Sequence, residues 1–141
     1  MGEHLKLAGS WNAVSNTNFE EILSKIEIPS MVRNSAALMK PKHIISFEEN
    51  KMKVVTVGRR TKEQLIPLDR SEHSDEIFGK KFVGSAAAND DGSITVTGKL
   101  GDMDMKTVRK IDGDGQMIMT STIDDVECIR VFVRESSRIG Y

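Results

Sequence analysis

The sequence predicts an all-β protein, a closed barrel or sandwich of antiparallel strands with one helix pair near its start. Three observations carry this expectation. Strand-length runs rich in β-formers follow one another from Ile44 to Val133. The connectors Glu48-Glu49-Asn50, Asn89-Asp90-Asp91-Gly92 and Asp112-Gly113-Asp114-Gly115 are polar or glycine-bearing and of hairpin length, and such short connections favour antiparallel neighbours. Ahead of these runs the apolar residues repeat with the period of a helix rather than that of a strand.

In chain order, Lys6 to Asn16 sets Leu7, Trp11 and Val14 among polar residues and Gly9, and reads as an imperfect first strand. Asn16-Thr17-Asn18 offers cap residues ahead of Phe19 to Ile26. There Phe19, Ile22, Leu23 and Ile26 share one helical face, and acids occupy the first turn. Pro29 suits the opening turn of a second helix, Ser30 to Met39, which Pro41 closes. Strands are then expected over Ile44 to Phe47, Met52 to Val57, Gln64 to Leu68, Phe82 to Ala88, Ser93 to Lys99, Met105 to Ile111, Met117 to Ile123 and Val126 to Val133.

Length and charge narrow the function classes. The 141 residues fit one domain with one core, residues 1–141, ending in a tail over 136–141. Hydrophobic residues make up 38% and charged residues 29%, which leaves little apolar material for a thick dry core and favours a partly polar interior. With Lys+Arg 20 against Asp+Glu 21 the net charge is -1, so no nucleic-acid partner is expected. The one cysteine, Cys128, cannot close an internal disulfide, and a reducing compartment is the simpler expectation. The start lacks the apolar run of a signal peptide and no stretch is long enough to span a bilayer, so a cytoplasmic location is expected.

Strand parity then locates an unusual pair of charges. In the last strand Val126, Cys128, Arg130 and Phe132 share one face; in Met105 to Ile111, Thr107, Arg109 and Ile111 share one face with Met105. Between them Met117, Met119, Ser121 and Ile123 form an apolar face with adaptable thioethers and one hydroxyl. A single arginine in a strand is more often solvated. Two on neighbouring strands, each among residues that want burial, place an internal anion site on an equal footing. The anion that fits is a carboxylate with a long apolar body, its head held by charge-assisted hydrogen bonds and its tail covered by methionines and aliphatics.

These residues also carry a resemblance. Gly9-Ser10-Trp11, Asn18-Phe19-Glu20-Glu21-Ile22-Leu23, Lys40-Pro41 and Asp124-Asp125-Val126 with Cys128, Arg130 and Val131 to Glu135 resemble the intracellular lipid-binding proteins, the fatty-acid-binding and cellular retinoid-binding family, over nearly the whole chain. The resemblance implies a ten-stranded antiparallel β-barrel, a lipocalin-like β-clam, with a helix-turn-helix lid between the first two strands and one lipid in a water-containing cavity. It implies a noncatalytic, monomeric carrier without cofactor, whose ligand is a long-chain fatty acid or a retinoid. Arg109 and Arg130 match the family's carboxylate-binding arginines. Phe132 stands where the family has tyrosine and lacks that hydroxyl. Met119 and Ser121 join the expected ligand wall. Arg60-Thr61 resembles an arginine that the retinoic-acid branch carries on a turn, whereas Arg33 to Lys40 and Gly101-Asp102 resemble the fatty-acid branch. A fatty acid is the favoured ligand, with retinoic acid the alternative.

The remaining motifs have plainer explanations. Asp112 to Gly115 lacks the further ligands and the terminal glutamate of an EF-hand and reads as a hairpin turn. His73 beside Asp75 and Glu76 shares no metal-ligand spacing with His4 or His43 and reads as a solvated loop. Cys128 reads as a buried structural thiol rather than a nucleophile. Arg59, Arg60 and Lys62 form a basic turn that, with Arg33, would edge a portal and guide anionic lipid or contact membrane headgroups transiently. A small enzyme or a protein-interaction barrel with solvent-facing arginines is the competing class.

Overall fold

Period-two alternation of buried and exposed side chains, the signature of a sheet with one wet face, runs through ten strands of the computed structural model, which describes residues 2–32, 40–58 and 61–135. The strands are β1 (Gly9–Thr17), β2 (Lys42–Glu48), β3 (Lys51–Val57), β4 (Thr61–Pro67), β5 (His73–Ile77), β6 (Lys80–Ala88), β7 (Ile94–Leu100), β8 (Met103–Ile111), β9 (Met117–Ile123) and β10 (Val126–Arg134). Every ladder is antiparallel, and β1 pairs with β10, so the sheet order is β4, β3, β2, β1, β10, β9, β8, β7, β6, β5. The result is a nearly closed barrel whose two edge strands, β4 and β5, face each other without a ladder between them. The expected ten-stranded clam is therefore the observed fold.

Tight connections set this topology. Glu49-Asn50 joins β2 to β3, with Glu49 at φ 55, and Gly101 at φ 61 turns the chain between β7 and β8. At Asp112 the carboxylate Oδ1 accepts the backbone N–H groups of Asp114 and Gln116, each at 2.9 Å, so its acid serves the turn rather than a cation. Gly84 and Gly98 are register partners on β6 and β7. A Cβ on either would lie 2.2 Å from a carbonyl oxygen of the facing strand, and the Phe82 ring lies across both.

Between β1 and β2 lies α1 (Phe19–Lys25), which buries Phe19, Ile22 and Leu23. Covering each such side chain contributes about 1.5–3 kcal/mol. Residues 30–32 are helical too; residues 33–39 of the expected second helix lie outside the described residues.

Three local expectations need correction. The first strand does not begin at Lys6: Glu3–Leu7 is a 3-10 helix, and β1 starts at Gly9, whose φ of 133 suits glycine. Trp11 Nε1 donates to the Leu7 carbonyl at 2.9 Å, folding Leu7 back into the core. The residues before α1 do not cap it in the usual way. Asn18 is the N-cap residue but its side chain makes no cap bond; its amide donates instead to the Glu127 carbonyl at 3.2 Å. Finally, His73 to Glu76 is no solvated loop but most of β5. Its alternation was hidden because the inward positions carry His73 and Asp75 rather than aliphatics.

Candidate ligand-binding site

The ladders of β8, β9 and β10 arrange their inward residues in rows. Arg109 and Arg130 both register against Met119, one from each side. The next row joins Thr107, Ser121 and Cys128, and the row beyond the arginines joins Ile111, Met117 and Phe132. Thr107 and Ser121 hydroxyls lie 3.3 Å apart. The first two of these rows form one wall of an internal cavity of about 290 Å³, near the lower end of small-molecule sites at roughly 300–1,000 Å³. Ile22 and Ile26 from α1 and its C-terminal edge, Ile66 on β4 and Val96 on β7 supply apolar surface around it.

Electrostatics single out that wall. Arg109 is 5% exposed, and its Nε has no hydrogen-bond partner among the described residues. Burial, then the nearby Arg130, lowers its pKa to about 10; it remains a cation at neutral pH. Arg130 is also lowered by burial. Its Nε donates to Asn16 Oδ1 at 2.9 Å, and its guanidinium lies 4.6 Å over the Phe19 ring. Among the described residues neither arginine has a carboxylate within ion-pair distance. One buried and one half-buried positive charge thus face the cavity, an arrangement that an entering anion relieves.

His43, on β2, lines the same cavity, a role that its isolated place in the sequence, far from any metal-ligand spacing, does not announce. It is 4% exposed, and its Nδ1 has no partner among the described residues. Burial first, then Arg109 and Arg130, pushes its pKa down to about 2, so the imidazole is neutral. The signal was parity: His43 lies two residues before the buried Ile45 and so shares its inward face.

Of the other candidates, Met119 and Ser121 line the cavity. Phe132 does not; it is fully buried and packs its ring 4.6 Å from that of His43. Lys62 lies on β4 rather than in a turn, lines the cavity and reaches Asp75 Oδ1 at 3.8 Å. Arg33, Arg59 and Arg60 lie outside the described residues. Cys128 is buried, and burial raises its thiol to about 11, which suits packing rather than nucleophilic chemistry. Gln64, His73 and Asp75 line the cavity from the β4 and β5 side; being polar, they carry no apolar alternation that would mark an inward face. Among the described residues no helix is long and apolar enough to cross a membrane.

A barrel of this order around one internal cavity is the architecture of known lipid carriers. A Schistosoma mansoni fatty-acid-binding protein in complex with arachidonic acid superposes with a TM-score of 0.87 over 96% of this chain and 100% of that one, at 23% identity. An Echinococcus granulosus fatty-acid-binding protein superposes with a TM-score of 0.84 over 93% of this chain and 98% of the other, at 16% identity. No family profile matches the sequence. Whole-length relatives do. The intestinal fatty-acid-binding protein of Bos taurus is 31% identical over 132 residues, 90% of this chain and 97% of the bovine protein. Cellular retinoic acid-binding protein 2 of Mus musculus is 30% identical over 134 residues, 91% of this chain and 97% of the mouse protein. The chain belongs to the family of fatty-acid-binding and cellular retinoic-acid-binding proteins, a family of lipid-binding carriers rather than enzymes.

Proposed function

We propose that the chain is a noncatalytic, monomeric cytoplasmic carrier of one long-chain fatty acid, with the carboxylate held between Arg109 and Arg130 and the tail along the apolar cavity. The observation that carries this is the pair of guanidinium groups, Arg109 buried and Arg130 half-buried, that register on either side of Met119 with no carboxylate partner among the described residues. His43 supplies a neutral third contact to the same head group, in place of the hydroxyl that Phe132 lacks. Charge-assisted hydrogen bonds to such a head group are each worth about 1.5–3 kcal/mol, while the covered tail provides the larger share of affinity.

Retinoic acid is the second reading, supported by the mouse relative at 30% identity. Competition titration of a long-chain fatty acid against retinoic acid decides between them: the fatty acid is expected to bind more tightly, and displacement of bound fatty acid by equimolar retinoic acid would reverse the order. The exposed apolar side chains of Met31, Val32, Val57 and Phe78 support transient contact with a membrane during loading. Arg33, Arg59, Arg60 and Lys62 are close in sequence to Val32 and Val57, and if these cations guide the contact, transfer from anionic vesicles should slow as salt is added.

A further inference from the structure

The arginine wall is not the only polar surface of the cavity. Across the barrel, where β4 and β5 meet without a ladder, side chains take over from the backbone. Gln64 Nε2 donates to Asp75 Oδ2, Lys62 donates to the Glu76 carbonyl, and Lys62 lies 3.8 Å from Asp75 Oδ1. This clasp accounts for Lys62 and for part of Asp75 and Gln64. It does not account for His73. The His73 ring packs 5.8 Å from that of Phe82, lines the cavity, and its Nδ1 is buried without a hydrogen-bond partner among the described residues. Its ladder partner on β6 is Gly84, itself paired with Gly98, so no side chain from those two positions stands between His73 and the cavity.

A wholly apolar tail laid over this surface leaves the His73 imidazole nitrogen without water or partner, which is costly, and adds nothing to the Gln64–Asp75 pair beside it. A second carboxylate on the ligand would meet Asp75, whose nearest cation is already engaged by it. A hydroxyl meets neither objection, because it both donates and accepts. We propose that Gln64, His73 and Asp75 form a second ligand subsite that takes a hydroxyl on the distal part of the acyl chain, so that the preferred cargo is a hydroxylated long-chain fatty acid.

Geometry fixes which hydroxyl. Through Gly84 and Gly98, His73 shares a cross-strand row with Met105 on β8, and Met105 precedes Arg109 by four residues. Those four residues span roughly 13 Å along the strand, and β5 lies on the opposite side of the barrel from β10. An oxygen next to the carboxylate cannot reach the subsite, whereas one in the distal half of an eighteen-carbon chain can.

The inference rests on the carboxylate being held at Arg109 and Arg130. Its test is calorimetric titration with stearic acid, a stearic acid hydroxylated in its distal half, and an isomer hydroxylated beside the carboxylate. The distal isomer should bind about three- to tenfold more tightly than the proximal one, the scale of one neutral hydrogen bond. His73→Phe and Gln64→Leu should each remove the preference for the distal over the proximal isomer, and His73→Gln should retain it. Equal binding of the two isomers, or a preference that survives both substitutions in folded proteins, overturns the second subsite. If stearic acid binds with Arg109 dependence while the isomers bind alike, only this subsite falls; if no acid binds, the carrier reading falls with it.

Discussion

The imidazole of His43 lies 4.6 Å from the ring of Phe132 with their planes 34° apart, which sets an unpartnered nitrogen-bearing ring against the one aromatic of the arginine wall that has no hydroxyl. Both arginines act on that imidazole electrostatically.

If His43 donates to the bound carboxylate, His43→Leu should weaken fatty-acid binding about three- to tenfold, the worth of one hydrogen bond. Phe132→Tyr in that background should restore part of the loss by returning a hydroxyl to the same wall. Calorimetry on the single and double variants measures both effects. Unchanged affinity in folded His43→Leu would remove His43 from the site.

The same residue predicts an acid-sensitive fold. An unfolded histidine takes a proton near pH 6.5, whereas buried His43 does not until about 2. Between those values the unfolded state holds the extra proton, so stability falls as pH drops below 6.5. One such group gives a slope of about 1.4 kcal/mol per pH unit. Denaturant unfolding between about pH 6.5 and pH 5, above the usual carboxylate range, should show that slope, and His43→Gln should flatten it. An equal slope in the two proteins would assign the acid sensitivity elsewhere.

The glycine pair gives a stability prediction independent of ligand. Gly98→Ala would place a Cβ 2.2 Å from the Val83 carbonyl and 2.6 Å from the Gly84 Cα. Backbone must move to admit it, at a cost of about 1–3 kcal/mol or more. Gly113→Ala, with nothing within 4 Å of the added Cβ, should be close to neutral. Thermal melts of the two variants compare them, and equal melting temperatures would contradict the packing described for β6 and β7.

How far the sequence could be read depended on which faces were apolar. The alternations in β8, β9 and β10 were legible because aliphatics and methionines surround the arginines, and parity alone put Arg109, Met119 and Arg130 on inward faces. The helix α1 was legible for the same reason. Where inward positions are polar, pattern gave no purchase. His73 and Asp75 disguised β5 as a loop, and with it went the clasp to Lys62 and Gln64. His43 was overlooked although Ile45 marked its face. The start of β1 was misplaced because Leu7 is buried from a 3-10 turn rather than from the strand. Contacts across long sequence separations, such as Arg130 to Asn16 and Asn18 to Glu127, have no local signature at all.

The most direct measurement is the affinity of the native protein, Arg109→Gln and Arg130→Gln for a long-chain fatty acid and for the alcohol of the same chain length. Each substitution should cost the acid about 1.5–3 kcal/mol, on the order of ten- to a hundredfold, because a charge-assisted partner is lost. The alcohol should bind the native protein more weakly and lose much less on substitution. Stability should be followed in parallel, since removing an unpaired buried charge can strengthen the empty fold while binding suffers. Acid affinity unchanged in both folded variants would contradict an internal carboxylate site between Arg109 and Arg130.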